Sequence, residues 1–489
     1  MARAGYYGMI WILLASPLLA ADWYVDASAV GGDGSQAAPF ASLQDGIDSA
    51  DPGDTVRVLP GIYGAVSTVR DARAAARISV VAEPRREAIV EASGRALDGA
   101  HNFHTFEGLV FDGGYGGGDV LRMGGSNNLE LLDVEVRRAY DGDCIDLRNA
   151  TNVLIADSDI HHCVAGSPGI QADSHGVTGD SVFELTVQDS RIYLVAGDAF
   201  QLSPSREPWG DVRLERLEMW SGALDEDAGP LPVGSVIGEN AVDTKVEGGQ
   251  GWPRLEIVDV VAWGWRGNIT NQGAFNIKEE VDCLIQRVTV FDSELAFRLR
   301  EPARVAVWNA VVYDVDVAFR LEDGLVNSQL YAITVGEEVG AVFSEAGGDP
   351  ANLDVRNLLY MGDIGENWTF TGIASQVDSS VFTGSAVGDY RLVQESEPVD
   401  AGEALLSVTE DRDGWPRPYG NGWDLGAFEW QPEPPTATTG DDDDNDDAAG
   451  DDDDAGGESV DNEAGCGCET GPLSALWWLP LLLVSRRRL

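Results

Sequence analysis

Five cations recur at matched places along one short phrase of this otherwise acidic sequence. The phrase reads "GENAVDTKVEGG" from Gly238, "QGAFNIKEE" from Gln272, "LAFRLRE" from Leu295 and "VAFRLED" from Val317. It carries Lys245, Lys278, Arg298, Arg300 and Arg320, where earlier copies hold Asp146, Gln171, Asp173, Gln201 and Ser203. Aspartate and glutamate outnumber lysine and arginine 83 to 32, for a formal net charge of −51. Like charges in neighbouring copies repel unless an anion lies among them. Asp243, Glu239, Glu279 and Glu280 are local candidates for that anion, and an extended polyanion is another. The chemistry this pattern suits is therefore anion binding.

Such charges need a scaffold that sets equivalent positions side by side. The phrase has seven copies, starting at Cys144, Gly169, Ala199, Ala241, Ala274, Ala296 and Ala318, the last three 22 residues apart. Each is followed by a second alternating phrase, from "NVLIADSDI" at Asn152 to "NSQLYAITVGE" at Asn327. Period-two alternation of β-branched and aromatic residues predicts strands, and the repeat predicts an all-β solenoid, a parallel β-helix. Its turns stack about 4.8 Å apart, so equivalent side chains form ladders. Ile145, Ile170, Phe200, Val242, Phe275, Phe297 and Phe319 are expected inside. Asp146, Gln171, Gln201, Asp243, Asn276, Arg298 and Arg320 are expected outside. A second outer row holds Arg148, Asp173, Ser203, Lys245, Lys278, Arg300 and Glu322. "SGALDEDAGPLPVGSVIGE" (221–239) reads as a loop inserted in the coil, and residues 42–50 as a short amphipathic helix over its first turns.

The net charge argues against nucleic acid and anionic lipid as general partners, because their phosphates are repelled. Residues 1–21 have the charge and apolar pattern of a secretory signal peptide, which makes the compartment oxidising. Cys144, Cys163 and Cys283 then permit one disulfide, whose pairing the sequence leaves open. "IHHC" at Ile160 has adjacent metal-type side chains, but alternation along a strand sends neighbours to opposite faces. Residues 431–464 are rich in aspartate and poor in large apolar groups, so they read as a disordered acidic linker. Residues 465–489 place Cys466 and Cys468 before a short apolar run and a closing arginine cluster. That order resembles the myxobacterial-type C-terminal sorting signals. The resemblance implies a sorting protease acting near Cys466 or Cys468, and retention at the cell surface, with membrane contact only through this segment.

Residues 22–430 form the coil domain. "YVD", "GGDGS…PFASLQDGID" and "PGDTVRVLPGIY" near its start resemble the opening module of right-handed parallel β-helix proteins of the pectate-lyase-like superfamily. "DYRLVQESEPVDAG…DRDGWPRPYGNGWDLGAFEW" (389–430) resembles their closing segment. The cation strip is similar to that of superfamily lyases acting on acidic polysaccharide. That resemblance implies carboxylates holding Ca2+, from Asp143, Asp146, Asp173 and Asp198 together with Asp243. It implies Lys245 or Lys278 as the base that removes the proton next to a uronate. Asp243, Asn276, Arg298, Arg300 and Arg320 would then touch the polymer. Trp209, Trp220, Trp252, Trp263 and Trp265 flank the same turns, where aromatic faces suit sugar rings. Two function classes follow for an exported monomer. One is a β-eliminating polysaccharide lyase; the other is a non-catalytic glycan-binding, adhesion or matrix protein using the same groove.

Overall fold

Alternation in this chain becomes three faces of parallel strands wound about one core. The computed structural model describes residues 20–432, apart from 168–171, 204–207, 249–250, 301, 323, 348–352, 366–367 and 369. Face 1 runs from Asp22–Val25 to Leu353–Tyr360, and face 2 from Gly61–Tyr63 to Val311–Val312. The later strand Ser328–Val335 bends through the corner and pairs with both faces. Face 3 stacks eleven strands, from Val66–Ser67 to Val339–Ala346. The architecture is a right-handed parallel β-helix with very little helix. One short α-helix, Leu43–Ser49, buries Leu43, Gly46 and Ile47 near the first turns, with Ser42 as its N-cap.

One residue makes the corner between faces 1 and 2 in each turn. Asp133, Asp157, Asp189, Arg216, Asp259 and Arg287 occupy it with φ between 50° and 55°. Aspartate tolerates this left-handed conformation through local hydrogen bonding, whereas arginine is strained there. Each arginine is gripped by the aspartate one turn earlier. Arg216 pairs with Asp189 at 2.5 and 2.7 Å, and Arg287 with Asp259 at 2.9 and 2.8 Å.

The core ladder follows the expected register with one correction. Ile145, Val177, Phe200, Val242, Phe275, Phe297 and Phe319 pair in sequence along face 3. Phe275, Phe297, Phe319 and Phe343 stack with centroids 5.4, 4.9 and 5.6 Å apart, all buried. The second copy is "GVTGD" (176–180), not "GIQAD" (169–173). Thr178 and Asp180 therefore take the outer places expected for Gln171 and Asp173, while Ile170 and Gln171 lie outside the described residues. Two near-identical phrases compete within a few residues, and it is Val177 that pairs with Ile145 and Phe200 in the ladder.

Cys144 and Cys163 form the disulfide, both fully buried, and Cys283 is a buried free thiol. The inserted loop docks on the coil's flank through Leu224, Ala228, Leu231 and Ile237, packed with Val164 and Leu194. Arg138 and the Tyr115 hydroxyl fix its Asp227. Residues 1–19 and 433–489, including Cys466, Cys468, most of the leader and nearly all of the acidic linker, lie outside the described residues. Among the described residues no helix is long and apolar enough to cross a membrane.

Candidate functional site

Parallel register brings the predicted charges of face 3 together in two clusters. The first centres on Asp243, in the strand Val242–Thr244. Asn276, one turn on, donates its Nδ2 hydrogen to Asp243 Oδ1 at 2.8 Å. Lys278 Nζ lies 2.9 and 3.0 Å from the two oxygens of Asp243. Lys245 donates to Gln201 Oε1 and lies 3.8 Å from Asp243. These outer positions are not all solvent-facing as alternation implied. Asp243 and Asn276 are 2% and 4% exposed, because the longer side chains of adjacent turns close over them. Lys245 remains reachable, with its side chain 41% exposed against 16% for Lys278. Asn276 Oδ1 is buried without a hydrogen-bond donor, an unmet acceptor on the floor of the groove.

The second cluster was only partly legible. Arg298, Arg300 and Arg320 converge on one carboxylate, Glu322, through their Nε atoms at 2.9, 2.9 and 3.1 Å. Glu322 lay in the expected outer row without being recognised as their shared partner. Burial acts to raise its pKa, but hydrogen bonds from Arg298 and Arg320 outweigh this and hold it low. The anions among the stacked cations are thus Asp243 and Glu322. Asp198 adds negative charge that acts on Lys245 and Lys278.

Upstream lies an acid cluster with a different character. Asp198 is 1% exposed, and burial followed by repulsion from Asp243 raises its pKa well above the usual carboxylate value. Its Oδ1 accepts from Asn240 Nδ2 at 2.7 Å. Its backbone N–H donates to His175 Nδ1 at 2.8 Å, which places the ring proton on Nε2. Glu239, at the end of the inserted loop, is pushed up to about 7 by burial, then by Asp198 and Asp173. The sequence marks His175 only as a turn residue and Glu239 only as a candidate anion among the cations; the fold brings the loop end beside Asp198.

The four carboxylates proposed for Ca2+ do not form a cage. Asp143 accepts from the His175 backbone and from Thr178 Oγ1, and burial raises its pKa. Asp146 is held by Arg148 at 2.7 Å. Asp198 is buried with its pKa raised by that burial and by Asp243, and Asp173 is exposed in the turn before face 3. Among the described residues no group of three or more acids, histidines or cysteines gathers to hold a metal ion. No step is therefore derived through Ca2+.

The tryptophans flanking these turns do not offer free faces. Trp209 and Trp265 are core residues, 1% and 0% exposed. Trp220 and Trp263 belong to an outer stack on face 2, running His161, Tyr193, Trp220, Trp263, Phe291 and Tyr313, with centroids 4.1 to 5.6 Å apart. Trp252 is covered by Arg304 at 4.0 Å. The expectation for "IHHC" also fails in its premise. His162 has φ 55°, a left-handed kink that brings its ring beside His161, with the two Nδ1 atoms 2.6 Å apart, while Cys163 is spent in the disulfide.

No protein-family model and no curated protein matches the sequence. Solved structures do. Pectate lyase Pel9A superposes with a TM-score of 0.52 at 15% identity, covering 84% of this chain and 96% of that one. A rhamnogalacturonan lyase gives 0.47 at 14% identity, covering 74% and 90%. A GH136 lacto-N-biosidase from Eubacterium ramulus gives 0.47 at 11%, covering 68% of each chain. At such identities the likeness is one of fold: the chain shares with the Pel9A structure the right-handed parallel β-helix.

Proposed function

We propose that the protein binds an extended acidic polysaccharide along face 3. The observation that carries this reading is the cation strip itself: Lys245, Lys278, Arg298, Arg300 and Arg320 in adjacent turns, bridged to one another through Asp243 and Glu322. A chain of net charge −51 concentrates positive charge in one groove, where a uronate polymer parallel to the axis meets a cation at each turn. The pectate lyase that shares the fold is named for a substrate of this class, which supports the reading by analogy alone.

Cleavage by β-elimination is the reaction such a groove can support. The cations would stabilise charge on the uronate carboxylate, and Lys245 or Lys278 would take the neighbouring proton. Glu239 and Asp198, inclined to hold protons, would serve the leaving oxygen. A specific observation favours the second, non-catalytic reading: both lysine amines are already engaged by the protein, Lys278 with Asp243 and Lys245 with Gln201. Retention at the surface through residues 465–489 belongs to the same proposal, and deleting them should release the protein to the medium.

A panel of polygalacturonate, alginate and neutral glucan separates the readings. Salt-sensitive binding to the polyuronates, lost in Lys278→Ala with Arg300→Ala, supports the groove. Release of unsaturated uronate, read by ultraviolet absorbance, assigns the lyase. Undiminished binding in that double variant would overturn the proposal.

A further inference from the structure

Trp220, Trp263 and Trp252 of the coil are spent on other rings or on arginine, but Trp415 and Trp430 in the closing segment are not. Trp415 and Trp430 line the same hollow of about 400 Å³, formed with Arg391, Asp389, Asp413 and Gln431. Both are half-buried, and among the described residues no ring or cation stacks on either indole and neither indole N–H is hydrogen-bonded. Trp430 also walls a second hollow of about 320 Å³, whose lining includes Tyr419, Asn421, Asp400 and Ser396. The two hollows therefore share one tryptophan as a partition, and they share Gln394 at their rim.

Each hollow also contains an unmet polar group. Gln431 Nε2 in the first and Ser396 Oγ in the second are buried without a hydrogen-bond partner. Orphaned buried polar atoms are uncommon and costly, and each here belongs to a side chain that lines one of the hollows. The walls are preset for polar recognition. Arg391 is held flat by Asp413 at 2.7 and 3.1 Å and by Asp389 at 3.2 Å. Beneath it, Glu429 is fixed by the fully buried Arg417 at 2.8 Å.

We propose that this pair of hollows is a carbohydrate-binding site separate from face 3, taking neutral sugar units in at least two adjacent positions. The carbon-bound hydrogens of a pyranose ring carry slight positive charge and an apolar surface, and indoles that line a hollow without a stacked ring or cation, as Trp415 and Trp430 do, suit both. Carboxylates are strong acceptors for sugar hydroxyls, with Arg391 and Gln431 as donors. The sign of charge sets the class. Asp389, Asp413, Glu395 and Asp400 outnumber Arg391 in the linings, so a uronate is repelled here while face 3 attracts it. The closing segment would thus hold neutral stretches or side chains of a heteropolymer.

The test uses the full chain labelled with 5-fluorotryptophan, with the two resonances assigned through Trp415→Phe and Trp430→Phe. Neutral hexasaccharides of glucose, mannose, galactose and xylose should include one that shifts both resonances saturably. Trp415→Ala should weaken that binding about five- to tenfold. Gln431→Ala, a milder change outside the core, should weaken it with the fold intact by circular dichroism. Lys245→Ala with Lys278→Ala should leave it unchanged, so this site stands or falls apart from the groove. The proposal is overturned if no neutral hexasaccharide moves either resonance, or if hexagalacturonate or chitosan hexamer moves them more strongly than every neutral sugar.

Discussion

Lys278 Nζ sits 2.9 and 3.0 Å from the two oxygens of Asp243, joining adjacent turns of the coil across the floor of the groove. Asp243 is therefore an internal competitor for whatever anion the strip binds. Replacing it with asparagine keeps the shape but frees Lys278 and Lys245 to meet a ligand carboxylate. Asp243→Asn should tighten polygalacturonate binding about five- to tenfold at low ionic strength, with the gain fading as salt screens it. It should also lower unfolding free energy by about 2 kcal/mol, because a mostly buried ammonium loses its partner. Weaker binding in a folded Asp243→Asn would mean that the carboxylate itself contacts the ligand.

Glu322 plays the same part for three arginines. Glu322→Gln releases Arg298, Arg300 and Arg320 from their common acceptor and removes a charge that lets them pack together. Polyuronate affinity should rise while the denaturation midpoint falls, and added polyuronate should restore the midpoint more in the variant than in the wild type. Equal restoration in both would show that the arginines do not reach the ligand.

The coil was legible because alternation and repetition are local properties: every second phrase became strands of faces 1 and 2, and the phenylalanine ladder pairs as read. What failed depended on facts that period two does not encode. "GIQAD" and "GVTGD" have the same pattern, and only the ladder selects Val177. His162 breaks alternation through a left-handed backbone, so the faces of "IHHC" could not be assigned by counting. Glu322 was visible as an outer residue, yet its meeting with three arginines needs side-chain reach across turns. Glu239 arrives beside Asp198 only because the inserted loop folds back on the flank.

The phenylalanine ladder makes the stability of neighbouring turns interdependent. Phe297 is fully buried between Phe275 and Phe319, at 5.4 and 4.9 Å. Phe297→Ala should cost about 3–5 kcal/mol, read from urea denaturation, because close-packed neighbours collapse only partly into the void. Phe297→Leu should cost much less. Equal losses would indicate that ring stacking, rather than filled volume, holds the ladder.

Glu239 gives the groove a pH dependence whose sign can be derived. Its folded-state pKa is raised to about 7 from an ordinary 4.5, by burial and then by Asp198 and Asp173. The folded protein then binds more protons than the unfolded chain between those two values, so stability falls as pH rises through that window. Below pH 4.5 both states are protonated and the effect vanishes. Glu239→Gln removes the ionisation while keeping a hydrogen-bonding amide. It should match the wild type near pH 4.5 and exceed it by about 1 kcal/mol at pH 8, the full linkage value being reduced by water around a half-buried side chain. Glu429 is raised to about 7 in the same way by burial, so part of the wild-type slope should persist in the variant. If the groove also cleaves by β-elimination with Glu239 as proton donor, the alkaline limb of the rate profile should disappear in Glu239→Gln along with most activity. Denaturation at pH 4.5, 6, 7 and 8 checks the first part, and an unchanged slope in the variant would remove Glu239 from the account.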